Sequence, residues 1–162
     1  MEQAQPAQLK YKHASTAADF NAAKQIFLEY SKSLGFDLGF QDFNDELKEL
    51  ATRYNQPKGD LILAYVNDQL AGVVAVHEIE PGIAEMKRLY VRDDFRKLGI
   101  NQELVARILA SAERLGYQAI RLDTLKSMTG ALKIYHAAGF KPIDPYRFNP
   151  LDGAGYLELD FK

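Results

Sequence analysis

The spacing of apolar side chains changes repeatedly along the chain, and each change marks the border of an element. Lys10–Ala14 predicts a short first strand. Ser15, Thr16 and Asp19 supply cap and first-turn acceptors for a helix that carries Phe20, Ala23, Phe27, Tyr30 and Leu34 at helical spacing, with Gly35 as its stop. A second helix is predicted from Asp42 or Asn44, with Phe43, Leu47, Leu50 and Tyr54 on one face, ended by Pro57 and Gly59. The period then shortens. Leu61–Val66 and Leu70–His77 read as a hairpin joined at Asn67-Asp68-Gln69. Beyond the turn at Pro81-Gly82, alternation over Ile83–Val91 puts Ile83, Glu85, Lys87, Leu89 and Val91 on one face and Ala84, Met86, Arg88 and Tyr90 on the other.

After Asn101 the helical period returns, with Leu104, Ile108, Ala112 and Leu115 in a stripe closed by Gly116. Ala119–Leu125 predicts a strand and Thr129–Ala138 a helix closed by Gly139. Two last strands follow, Phe140–Ile143 and Tyr156–Phe161, separated by the proline- and aromatic-rich loop Pro145–Gly155. The order β-α-α-β-β-β-α-β-α-β-β describes one α/β (α+β) domain over residues 1–162, a mixed sheet with helices on its faces.

Composition narrows the chemistry. A net charge of −2 gives no broad basic footprint for a nucleic acid. The chain has no cysteine, which removes disulfides, thiolate metal sites and cysteine nucleophiles and suits a reducing cytoplasm. His13, His77 and His136 lack ligand spacing, so no metal is expected. Met1–Lys10 holds no apolar segment of a secretory signal, and the apolar run Leu70–Val76 is far short of a bilayer span. A cytoplasmic protein without membrane partners is the expectation.

The informative stretch is Arg88–Asn101. A strand ends, a loop with Arg96, Lys97 and Gly99 follows, and an amphipathic helix begins at once. The first turn of a helix has amide hydrogens without intrahelical acceptors, and the helix dipole adds partial positive charge there. A glycine lets a ligand approach the backbone, so the segment reads as a phosphate or pyrophosphate cradle. It matches neither the P-loop nor the three-glycine dinucleotide fingerprint.

Its spacing resembles the Arg/Gln-x-x-Gly-x-Gly/Ala loop of the GNAT N-acetyltransferase superfamily, with Arg96, Gly99 and Asn101 at the three defined positions. Asn101 departs from the small residue that normally closes the pattern. The flanks agree: Leu89-Tyr90-Val91 provides the apolar strand end, and Tyr135-His136-Ala137-Ala138-Gly139-Phe140 is similar to the family's Tyr-x-x-x-Gly-Phe. The resemblance implies a GNAT-like, mostly antiparallel sheet of about six to seven strands with about four flanking helices.

By the same resemblance, acetyl-CoA lies where the strand ending at Val91 splays from Ala119–Leu125. Leu89, Tyr90 and Val91 pair with the pantetheine arm, and amides from Arg96, Lys97, Leu98, Gly99, Ile100 and Asn101 hold the pyrophosphate. An amide near Leu89–Tyr90 steadies the thioester oxygen, and Tyr135 protonates the departing thiolate. Glu85 stands where histone-acetyltransferase members carry the base, which implies a carboxylate with a desolvation-raised pKa. Core packing for Tyr135 and a solvated Glu85–Lys87 rim remain open beside these roles. Met128 stands where many members have a cofactor-binding Asn. Lys133 is a possible phosphate contact, and His77 and His136 are alternative bases.

The implied reaction is direct acetyl transfer to a primary amine in a ternary complex. A non-catalytic acyl-CoA-binding module is the alternative. Tyr146, Arg147 and Phe148 are candidate acceptor contacts, pointing to a small amine with a carboxylate. The resemblance also admits a homodimer.

Overall fold

The computed structural model describes residues 7–34, 43–151 and 153–161. Its elements are β1 (Leu9–His13), α1 (Ala17–Leu34), α2 (Phe43–Lys48), α3 (Leu50–Arg53), β2 (Asp60–Val66), β3 (Gln69–Glu80), β4 (Ile83–Val91), α4 (Ile100–Arg114), β5 (Ala119–Leu125), α5 (Thr129–Ala138), β6 (Lys141–Pro142) and β7 (Ala154–Asp160). Seven strands form one sheet in the order β1-β2-β3-β4-β5-β7-β6. Every neighbouring pair is antiparallel except β4 and β5.

Local chemistry explains these borders. Thr16 Oγ1 accepts from the Asp19 amide at 3.1 Å, while the Asp19 carboxylate accepts from the Ser15 and Thr16 amides at 3.0 and 3.2 Å, a reciprocal cap on α1. Lys12 adds an ion pair to Asp19 at 2.9 Å. Asn67 and Asp68 both take positive φ, 49° and 66°, so a two-residue turn joins β2 to β3 and Gln69 is already in the strand. The predicted second helix is broken at Glu49 into α2 and α3. Gly35 and Asp42, named above as helix borders, lie outside the described residues.

Helices cover both sheet faces, each with its own core. On one side Phe20, Ala23, Ile26 and Phe27 of α1 meet Phe43, Leu50 and Tyr54 over Leu61, Leu63, Val73 and Ala75. On the other, Ile100, Leu104, Ile108 and Ala112 of α4 and Tyr135 of α5 pack over Ile62, Val74, Val76, Ile120 and Leu122.

Strand β4 departs from the predicted alternation. Val73 pairs with Tyr90 and Ala75 with Lys87, so Val74 stands opposite two residues, Arg88 and Leu89. Arg88 takes φ 63° in this bulge. The extra residue flips everything beyond it: Leu89 and Val91 join Ala84 and Met86 in the α4–α5 core, while Tyr90 packs with the α1 side. Glu85 and Leu89 therefore do not share a face.

Candidate active site

Strands β4 and β5 pair over three rungs only, Ile83–Ala119, Ala84–Ile120 and Glu85–Arg121. Beyond Glu85 they separate, and the gap opens into a cavity of about 520 Å³. That volume lies within the range of small-ligand sites. Met86–Val91 line one wall and Leu122–Leu125 the other, with Tyr135 at the α5 side and Tyr30 at the α1 side. Backbone that has lost its strand partner can offer its amides and carbonyls to an extended ligand.

One end of the cavity reaches Arg96 and Asn101. Between them the chain turns through positive φ at Lys97 (74°) and Gly99 (77°) into α4, whose start has no side-chain cap. A Cβ placed on Gly99 would meet nothing within 4 Å, so this backbone is open to an approaching group. Ile100 is buried and anchors the turn, whereas Lys97, Leu98 and Gly99 are exposed. Arg96 donates to the Val91 carbonyl at 3.3 Å and pairs with Asp93 at 3.0 Å. An uncapped helix start, an open glycine and a fixed arginine fit a phosphate-bearing ligand.

Tyr135 is buried against Phe140, their ring centroids 5.7 Å apart, and also lines the cavity. The core and cavity readings thus coincide in one side chain. Burial pushes its phenol pKa upward, keeping the proton on it at neutral pH. Met128 occupies the position just before α5, with no side-chain capping bond, and lines the cavity. Lys133 and His136 point outward and are exposed.

Glu85 is the largest departure from expectation. It is 0% exposed, yet no apolar pocket surrounds it. His77 Nε2 lies 3.0 Å from Oε1; Tyr146 donates to Oε2 at 2.7 Å, and Arg147 pairs with the same oxygen. Burial alone would raise its pKa, but His77, Lys87, Arg147 and Tyr146 outweigh it and hold the carboxyl at about 2. The raised pKa implied for a base is thus reversed, and the solvated rim is absent because Lys87 is buried too.

Lys87 has 4% of its side chain exposed and lines the cavity. Burial, with Arg88 alongside, lowers its pKa to about 8. Of the acceptor-loop candidates, Tyr146 and Arg147 are committed to Glu85, and Phe148 is 77% exposed. The pattern of apolar residues did not point to Arg88, which donates from Nε and Nη2 to Glu46 at 2.9 and 2.7 Å. Nor did it single out Asp123, the one carboxylate on the cavity wall among the described residues. Its signal was available: Arg121 and Asp123 form a polar face on a strand whose other face is Ile120 and Leu122.

Among the described residues, no group of three His, Cys, Asp or Glu could hold a metal ion, and no helix is long and apolar enough to cross a membrane.

A sheet split beside an uncapped helix start is a geometry that can seat an extended, phosphate-bearing ligand edge-on to a strand. The model of the Acetyltransferase (GNAT) family matches residues 21–140. An uncharacterised N-acetyltransferase of Schizosaccharomyces pombe is 36% identical over 159 residues, spanning 97% of this chain and 98% of that protein. A GNAT-family acetyltransferase from Staphylococcus aureus superposes with a TM-score of 0.78 at 18% identity, over 96% of this chain and 100% of that one. The PaiA N-acetyltransferase of Thermoplasma acidophilum, solved in complex with coenzyme A, gives 0.71 at 14% identity, over 95% and 99%. The chain belongs to the acetyltransferase (GNAT) family and is an acetyl-CoA-dependent N-acetyltransferase.

Proposed function

We propose that this enzyme moves the acetyl group of acetyl-CoA directly to a primary amine of a small molecule, in a ternary complex and in the cytoplasm. The observation that carries this reading is the gap between β4 and β5, which runs from the open turn before α4 to the phenol of Tyr135. Amides of the segment Arg96–Asn101 hold the diphosphate at that turn. Unpaired backbone of Leu89–Val91 runs along the pantetheine arm, and an amide near Leu89 steadies the oxyanion as the amine attacks the thioester carbonyl. The acceptor ammonium first loses a proton to solvent water and attacks as the neutral amine. The C–S bond then breaks and the nitrogen sheds its second proton to water. Tyr135, whose proton burial retains, protonates the departing thiolate and is reprotonated from solvent.

Glu85 serves this site as a positioning residue. Its pKa of about 2 makes it a poor proton acceptor at neutral pH, and both its oxygens are occupied. It ties the Tyr146–Arg147 loop to β4, while Asp123 is the carboxylate that meets the acceptor ammonium.

Thiol release with a panel of amines tests the reading. Tyr135→Phe is expected to lower kcat by about 10- to 100-fold with little change in the affinity for acetyl-CoA. Binding of acetyl-CoA without thiol release from any amine would favour the non-catalytic module instead.

A further inference from the structure

We propose that Lys87 anchors a carboxylate of the acceptor, so that the acceptor class is a small amine that is also a carboxylic acid. This rests on the N-acetyltransferase reading above and adds a substrate class to it. The starting point is the charge around the cavity. Its wall carries Lys87, Arg88 and Arg96; Arg88 is paired with Glu46 and Arg96 with Asp93, while among the described residues the Lys87 ammonium has only the longer contact to Glu85.

A buried ammonium is costly without a close counter-ion. The two carboxylates beside Lys87 are already committed. Glu46 accepts from Nε and Nη2 of Arg88, at 2.9 and 2.7 Å, and Arg53 stands 3.9 Å from it. Glu85 takes His77 on one oxygen and Tyr146 with Arg147 on the other. The Lys87 ammonium is left 3.9 Å from Glu85 Oε1, well beyond the ~2.8 Å of a charge-assisted hydrogen bond. Arg88 and Arg147 add like charge nearby, which burial does not relieve.

An anion entering the cavity would complete the set. Arg147, the obvious cation for that role from its place in an aromatic loop, pairs through Nη2 with Glu85 and does not line the cavity, which leaves the task to Lys87. Asp123 lies on the opposite strand of the gap, where it also accepts from Asn149 Nδ2 at 3.2 Å. A zwitterion would therefore find its ammonium partner on β5 and its carboxylate partner on β4. The same anion could also arrive on the acyl group of a dicarboxylyl-CoA, and the experiment separates the two sources.

The test is calorimetric titration of the CoA-saturated protein with N-acetylglycine and N-acetyl-γ-aminobutyrate, each beside its primary amide, and of the free protein with acetyl-CoA and succinyl-CoA. At least one acid should bind ten-fold or more tightly than its amide, with Lys87→Met erasing that preference and Lys87→Arg restoring much of it. Equal binding of acid and amide by the parent, or no binding of either, overturns the proposal without any variant. A preference that survives in Lys87→Met overturns it as well. Succinyl-CoA binding ten-fold tighter than acetyl-CoA, with that gain lost in Lys87→Met, places the anion on the donor and overturns the acceptor assignment. An acid preference that depends on Lys87 in a protein that releases no CoA with any amine supports the anchor and refutes the catalytic reading alone.

Discussion

Glu85 shows how a carboxylate's role depends on its neighbours more than on its position in a motif. Four groups surround it, and together they hold it ionised down to a pH of about 2. Because its folded-state pKa lies below the ordinary value near 4.3, the unfolded chain binds the proton more readily. Its contribution to stability is therefore complete above about pH 4.5 and is lost as pH falls toward 2. Acid unfolding followed by circular dichroism should show that loss, and Glu85→Gln should flatten it while lowering stability at pH 7 by about 2–4 kcal/mol. The pH–rate profile between pH 5 and 8 should contain no titration from Glu85; an acidic limb abolished by Glu85→Gln would restore it as the base.

None of this was legible in the sequence, and the reason is physical. A charged residue two positions from a lysine on a predicted strand reads as surface, since burial of both requires partners brought from afar. Tyr146 comes to Glu85 from 61 residues away and the counter-ion of Arg88 from 42. Tyr135 could be placed, because its aromatic packing and its cavity position fall on the same side of one helix.

At the scale of elements, two backbone features shape the candidate site, and only one leaves a trace in residue types. The turn before α4 needs a left-handed residue where it meets the helix, and Gly99 announces it. The bulge at Arg88 does not announce itself, since an arginine at φ 63° carries no compositional mark. That single extra residue turns Leu89 and Val91 toward the α4–α5 core and spoils any face assignment by simple alternation. Gly99→Ala should cost about 1–2 kcal/mol in a thermal melt, because alanine resists φ 77°. It should also weaken acetyl-CoA binding, since its Cβ would occupy the open side of the turn. Unchanged affinity in a destabilised Gly99→Ala would mean that no ligand approaches there. On α1, Thr16→Ala should lose about 1 kcal/mol of stability with CoA release untouched, the cap being remote from the cavity.

For the whole molecule, the layered plan was readable from apolar periodicity, because each element must hide one face. The strand order and the parallel β4–β5 contact that ends after three rungs are tertiary facts. They follow from packing α4 and α5 on one side and α1–α3 on the other. That early ending frees strand backbone and opens the cavity between the layers, and the proposed acetyl transfer is built on it.

Amide NMR during titration with acetyl-CoA tests this claim most directly. The account predicts saturable shifts at Gly99, Ile100 and Asn101 together with Leu89–Val91, and little change on β1 or α1's first turns. Absence of binding, or shifts that cluster away from the gap between β4 and β5, would contradict it.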